Sequence, residues 1–483
     1  MPRSIKILFL AAEADPFIKV GGLGDVAGSL PGALRALSPQ LDVRLCLPLH
    51  NDLKLDGFEI KPVSSYSIMR GGQRVPVQVF ETFFAGTPVY LIEGSPISSA
   101  QSVYSADMAI DGEKYTFFSL AALELLRHIR WQPGIIHAND WHTAPAVYAL
   151  HHRLADPHYA WIKSIIEVHN LPFMGGGTSP HLSAYGLHPC SNPHLPDWAR
   201  HFPLPMALAT ADAIVAVSPA YALELMTPEF GCGLQDFLRT RADALSGILN
   251  GLDLKLWDPR TDSALIANYD GASLERRTVN KAKLQSSLGL HVNPDVHLLA
   301  MITRMDPQKG VDIAIDGLRR TADQSWQAII LGTGIPYLES AARSLQDEMP
   351  ERVCAEIRYD AQLSRQIYAG ADILLMPSRY EPCGLAQMIA MRYGCVPVGR
   401  ATGGLNDTIR GYTDAVSGTG FLFNEASPDA FANCLREALQ VFGDRDRWLR
   451  LQHNGMSQDF SWENAAKQYQ DLYHQLLANK VAD

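Results

Sequence analysis

Two segments carry residues whose types and spacing can do chemistry on a charged, hydroxyl-rich ligand. Thr303-Arg304-Met305-Asp306-Pro307-Gln308-Lys309-Gly310 closes an apolar run and precedes a helical pattern over Val311–Leu318. Two cations fixed at one strand-to-helix turn can neutralise negative charge building on a leaving diphosphate. A solvated basic turn is the plainer alternative. Pro377-Ser378-Arg379-Tyr380-Glu381-Pro382-Cys383-Gly384-Leu385 sets Glu381 directly after another apolar run, in a loop fixed by proline and glycine. In open α/β sheets ligands bind at the carboxyl ends of strands, where a carboxylate can accept hydrogen bonds from sugar hydroxyls. A glutamate on a surface turn would read the same way.

Three further segments belong to the first half of the chain. In Lys19-Val20-Gly21-Gly22-Leu23 the paired glycines let backbone N–H groups approach a ligand, and a helix beginning near Asp25 adds its positive end. That suits a phosphate, but equally a tight turn with no ligand; it is neither a dinucleotide fingerprint nor a P-loop. His137-Ala138-Asn139-Asp140-Trp141-His142 and Glu167-Val168-His169-Asn170 both stand at strand ends. Asp140 also reads as a helix N-cap, and His137 and His142 as core histidines. No metal is required by this set. Asp444-Arg445-Asp446 lies in a charged stretch and reads as a solvated turn, and the spacing of His137, Asp140 and His142 matches no common helical metal motif.

The elements that must position these residues are short apolar runs separated by amphipathic segments. In the first half they are Ile5–Ala12, Val43–Leu47, Gly134–His137, Ile165–His169 and Ala213–Val217. In the second they are Leu298–Thr303, Gln327–Leu331, Ile373–Pro377 and Val396–Gly399. Parallel strands with crossover helices have this pattern, so the fold class expected is α/β. The turn-rich segment from Ser246 to Pro259 marks a domain boundary. The expected domains are 1–250, 251–458 and a closing helix in 459–483 that places Trp462, Ala465, Ala466, Tyr469, Leu472, Tyr473, Leu476 and Leu477 on one face, with Ser461 as its N-cap. Lys19–Asp25 and Thr402–Asp407 look like an internal echo, each a Gly-Gly turn after a strand.

The chain's 483 residues exceed what one core supports. Its net charge of −10 argues against a protein that tracks nucleic-acid phosphates, whereas a large neutral partner such as a polysaccharide needs no basic surface. Seven dispersed cysteines without a C-x-x-C pair read as reduced thiols of a cytoplasmic protein. Arg3 and Lys6 before the apolar run Ile7–Ala12 mimic a signal peptide, but the run is short and Glu13 and Asp15 follow at once. It reads as a first buried strand, and no stretch approaches the roughly 20 apolar residues of a membrane helix.

Taken in order, K-V-G-G-L-G-D, H-A-N-D-W-H, V-H-N-L, S-G-I-L-N-G-L-D, R-M-D-P-Q-K-G and S-R-Y-E-P-C-G-L resemble the ADP-glucose-type glycogen and starch synthases, glycosyltransferase family 5. The resemblance runs over essentially the whole chain. It implies a GT-B fold, two Rossmann-like domains facing each other across a cleft with the last helix crossing back to the N-terminal lobe. It also implies retaining transfer of glucose from ADP-glucose to the non-reducing end of an α-1,4-glucan such as glycogen or a maltooligosaccharide, without cofactor, membrane or nucleic acid.

Carried over by position, Lys19, Gly21 and Gly22 contact the donor's diphosphate and glucose, and Arg304 and Lys309 stabilise departing ADP. Glu381 holds the glucosyl hydroxyls, with Cys383, Gly384 and Leu385 nearby. His169 stands beside the anomeric centre and the 6-hydroxyl, with Asn170 adjoining it. Asn250 binds sugar, Asp140 is a cleft aspartate, Tyr359 packs on adenine and Tyr104 lies near the phosphates. Thr402 and Gly403 complete the donor set. Two departures stand out. His169-Asn170-Leu171 continues as Pro172-Phe173-Met174-Gly175-Gly176-Gly177 where many relatives read A-Y-Q-G, and Lys114 replaces a frequent arginine. The same fold also accommodates a UDP-glucose donor or a sugar-nucleotide epimerase, and a non-catalytic glucan-binding homologue is a third possibility.

Overall fold

Runs such as IKILFL, ILLM and VPVGR are apolar on both faces, which suits strands covered by helices on each side. The computed structural model describes residues 4–413 and 416–478. Arg3 of the signal-like start and residues 479–483 of the closing segment lie outside the described residues. The chain divides into two units: residues through Gly251 together with those from Trp462 on, and Leu252–Ser461.

The first unit holds β1 (Ile5–Leu10), β2 (Leu41–Pro48), β3 (Lys61–Arg70), β4 (Gln73–Phe84), β5 (Thr87–Glu93), β6 (Ile135–Asn139), β7 (Lys163–Val168), β8 (Ala213–Ala216) and β9 (Leu245–Gly247). They make one sheet in the order β3-β4-β5-β2-β1-β6-β7-β8-β9. Strand β4 pairs antiparallel with β3 and with β5, and every other pairing is parallel. Because β1 lies between β2 and β6, strand order reverses there and leaves a crevice at the carboxyl ends of β1 and β6. Beneath the sheet Phe9, Val26, Leu30, Val43, Ile135 and Ile165 share a core with Trp462, Tyr469 and Tyr473 of the helix Trp462–Ala478. Burial of each such aromatic contributes about 2 kcal/mol relative to exposure, which anchors the last helix to this unit.

The second unit holds β10 (His297–Ile302), β11 (Trp326–Leu331), β12 (Val353–Glu356), β13 (Ile373–Met376), β14 (Val396–Arg400) and β15 (Phe421–Phe423). Their order is β12-β11-β10-β13-β14-β15, all parallel. Along the unit this is the dinucleotide-binding order, with its switch point between β10 and β13. Leu299 and Met301 face one helical layer while Leu298 and Ala300 face the other, as strand periodicity requires.

Topology corrects the internal echo. The counterpart of β1 in the second unit is β10, which leads into Arg304, whereas Thr402–Asp407 follows β14. The two glycine turns are local look-alikes, each opening a helix (Gly22–Leu37 and Gly403–Thr408), and not equivalent parts of two repeats.

Candidate active site

In the second unit the loops after β10 and β13 meet at the switch point. Asp306 accepts a hydrogen bond from the Lys309 N–H (3.2 Å), closing a one-turn helix, Pro307–Lys309. Gly310 follows with φ 65°, and a Cβ there would lie 2.0 Å from the carbonyl oxygen of Pro377, so only glycine lets the two loops approach. This contact delivers Lys309 Nζ to both oxygens of Glu381, at 2.8 and 2.7 Å, while the Ser378 hydroxyl donates to Glu381 Oε2 at 3.0 Å. Glu381 is buried, and its ion pair with Lys309 is what makes burying the carboxylate tolerable. Arg304, mostly exposed, is tied through Nε to Asp306 Oδ2 at 2.5 Å. A cavity of about 200 Å³ is lined by Thr303, Arg304, Lys309, Ser378, Glu381 and Gly384, with Leu385 at its edge.

Neighbouring loops lock this arrangement. Gly404 donates its N–H to the Glu381 carbonyl at 2.9 Å, and a Cβ on Gly404 would lie 1.9 Å from the Cys383 oxygen. The carbonyls of Cys383 and Gly384 are both taken by Gln387 Nε2 (3.0 and 2.8 Å). Thr402 is buried and stands at the N-cap position of the helix that Gly403 begins. Tyr359 stands apart, in the loop after β12, 87% exposed and outside the lining of the cavity.

In the first unit the glycine turn differs from its expected use. The buried carboxylate of Glu13 accepts hydrogen bonds from the N–H groups of Val20 and Gly21, the latter at 3.1 and 3.2 Å, and from the Tyr104 hydroxyl at 2.9 Å. Those amides and Tyr104 are therefore committed to a protein carboxylate, and only the helix that starts at Gly22 still presents N–H groups there. Lys19 reaches Asp25 at 2.6 Å. Lys114, fully buried, donates to the carbonyls of Ser102 (2.9 Å) and Val103 (2.6 Å) and to Asp111 (2.7 Å), which shapes the loop that carries Tyr104.

Asp140 is not the cap of its own helix. It sits in the left-handed region, φ 53°, and its carboxylate accepts the backbone N–H of His169 (2.8 Å) and of Asn170 (3.4 Å). Burial pushes this carboxyl above its ordinary value, against the opposing field of His169 and those two hydrogen bonds. The His169 ring is positioned by Asn139, whose Oδ1 lies 2.9 Å from Nε2. Asn170 and Asn250 both hold a buried side-chain oxygen with no protein partner. Such atoms fit a polar ligand, because an unpaired buried acceptor is costly. His137 is fully buried between Tyr473 and Glu167, and His142 packs against Tyr104, Tyr115 and Trp141. Both are core histidines. Asp444 caps the helix Arg445–Met456 by accepting the Arg447 N–H at 3.2 Å. Among the described residues no cluster of three His, Cys, Asp or Glu side chains is arranged to hold a metal ion, and no helix is long and apolar enough to cross a membrane.

Glu13, Asn139 and Ser378 were not singled out in the sequence. Ser378 and Asn139 both lie in quoted segments and were legible there, whereas Glu13 is joined to Tyr104 only by the fold.

Known proteins resemble this chain over nearly its whole length. A starch synthase catalytic domain model matches residues 6–240, and a glycosyl transferases group 1 model matches 296–441. The glycogen synthase of Thermotoga maritima is 38% identical over 98% of this chain and 99% of its own, and that of Clostridium beijerinckii is 36% identical over the same shares. The catalytic domain of starch synthase IV from Arabidopsis thaliana, solved with ADP and acarbose, superposes with a TM-score of 0.90 at 31% identity, covering 98% of this chain and 100% of that one. Two parallel-sheet α/β units, each with its polar residues at the switch point, define a glycosyltransferase of the GT-B type. The chain belongs to the glycogen and starch synthase family.

Proposed function

We propose that the enzyme transfers glucose from ADP-glucose to the non-reducing end of an α-1,4-glucan, with retention of configuration and release of ADP. The observation that carries this reading is the cavity where Arg304, Lys309, Ser378 and Glu381 converge. It supplies preorganised cations for a leaving diphosphate and a fixed carboxylate for sugar hydroxyls. The ADP and acarbose bound to the related plant starch synthase support the same donor and acceptor classes here. In the reaction the bond from the anomeric carbon to the phosphate oxygen breaks, a glucan hydroxyl oxygen takes its place, and the hydroxyl proton departs with ADP. Arg304 and Lys309 meet the growing phosphate charge. His169, Asn170 and Asn250 engage the sugar, while Asp140 holds the turn on which His169 sits. Lys19, Gly21, Gly22 and Tyr104 shape the donor side of the first unit, Cys383, Gly384, Leu385, Thr402 and Gly403 that of the second, and Tyr359 offers an exposed ring to the adenine. No metal takes part. We read the protein as cytoplasmic from its dispersed cysteines.

The test is incorporation of labelled glucose into glycogen from ADP-glucose and from UDP-glucose, side by side, with EDTA present. Strong incorporation from ADP-glucose is expected. Incorporation from UDP-glucose alone would overturn the donor, and loss of activity in EDTA would overturn the metal-free mechanism.

A further inference from the structure

Glu167 is the penultimate residue of β7 and has no exposed surface, and the reaction as drawn above leaves it unused. A buried carboxylate persists only where hydrogen bonds or opposite charge offset its lost hydration. Three elements supply them. His137, on β6, places Nε2 2.8 Å from Oε2. From the last helix, Tyr469 adds an influence that favours the ionised carboxylate. His169, just past β7, brings Nε2 to 3.4 Å from Oε1. Burial raises the Glu167 carboxyl, but His169 and His137 outweigh it and the net shift is downward, so the group stays ionised. Asp140 is a nearby charge of like sign.

The hydrogen bonds fix which nitrogen carries each proton. Because Glu167 can only accept, His137 donates from Nε2, and its Nδ1 accepts from the Tyr473 hydroxyl 2.9 Å away. Asn139 gives its amide N–H to the Leu10 carbonyl (2.8 Å), so its oxygen faces His169 Nε2. His169 Nε2 thus confronts two acceptors, Asn139 Oδ1 and Glu167 Oε1. The proton belongs on Nε2, and Nδ1 is left as an acceptor.

We propose that Glu167 is a positioning residue for glucosyl transfer. Backed by His137 and Tyr473, it holds His169 as the Nε2–H tautomer in one ring orientation, so that Nδ1 can accept a hydrogen bond from a sugar hydroxyl. The proposal rests on the reading of His169 as a sugar-contacting group. It also gives the helix Trp462–Ala478 a part in the site, since Tyr473 reaches His169 through His137 and Glu167.

The experiment compares Glu167→Gln, Tyr473→Phe and His169→Ala with the unaltered full chain, and reads histidine tautomers from ¹⁵N spectra of histidine-labelled protein. Glu167→Gln keeps the shape and removes the charge. It should lower kcat by at least about tenfold while both KM values stay within about twofold, because a misdirected tautomer costs turnover and not binding. The His169 signal should change from one tautomer to a mixture. Tyr473→Phe should give a smaller kcat loss with KM unchanged. Full kcat and an unchanged His169 signal in Glu167→Gln, beside an inactive His169→Ala, would overturn the positioning role and leave His169's role standing. A fully active His169→Ala would overturn the premise itself. If Glu167→Gln does not fold, Tyr473→Phe decides: a selective kcat loss supports the relay, and no loss overturns it.

Discussion

Lys309 and Glu381 form a single electrostatic unit at the residue scale. Lys309→Ala removes the cation proposed to meet the leaving phosphate and takes from Glu381 its ion pair, leaving the Ser378 hydrogen bond. We expect kcat to fall by about 100-fold, the size of effect seen when a preorganised group is lost from a transition state, with glycogen affinity little changed. Unchanged kcat in a steady-state assay would remove Lys309 from the mechanism. A second expectation concerns pH. His50 donates from Nε2 to the Ala12 carbonyl at 3.0 Å, and burial lowers its pKa from 6.5 to about 4. Burial holds His142 well below its ordinary value too. Both are neutral when folded and gain protons on unfolding, so their stabilisation is complete above about 6.5 and is lost as pH falls toward 4. His50 accounts for about 3 kcal/mol of that loss. Melting temperature should drop across this window, and His50→Gln, whose amide can keep the bond to Ala12, should flatten the dependence. These partnerships mark where sequence reading stops. Arg304, Lys309 and Glu381 were legible because each lies in a short motif beside an apolar run. Glu13 was not, because its partners Gly21 and Tyr104 are brought to it only by the fold.

Among the elements, legibility follows hydrophobicity. β1, β10 and β13 are almost wholly apolar runs and announce themselves. The β3–β4 hairpin does not, since its strands alternate and face solvent at the sheet edge, and only Gly71-Gly72, both at positive φ, hint at its turn. Asp140 shows the same limit. Its place at a helix start suggests a cap, but its left-handed backbone turns the carboxylate across to the turn after β7. The contact at Gly310 joins the loops after β10 and β13. Gly310→Ala would force a side chain into positive φ and against the Pro377 carbonyl, and should cost about 2 kcal/mol or more. A urea melt of the variant should show the loss, together with reduced activity, since the same contact carries Lys309 to Glu381. A melt unchanged from the parent would mean the loops are not held as described.

Over the whole molecule, two sheets whose central strands follow the same order each present polar residues at a switch point, on a chain of net charge −10. That combination separates the two ligands electrostatically. Nucleotide binding, if Arg304 and Lys309 carry it as proposed, should weaken from low to high salt, whereas a neutral glucan should bind almost independently of salt. Equilibrium binding of ADP and of maltoheptaose across ionic strength checks this, and equal salt dependence would count against the division of labour. Retaining transfer to a glucan can be read from proton NMR of the product formed from ADP-glucose and a maltooligosaccharide. One new α-1,4 anomeric signal is expected for each ADP released. A β-anomeric signal, or ADP accompanied only by free glucose, would contradict it.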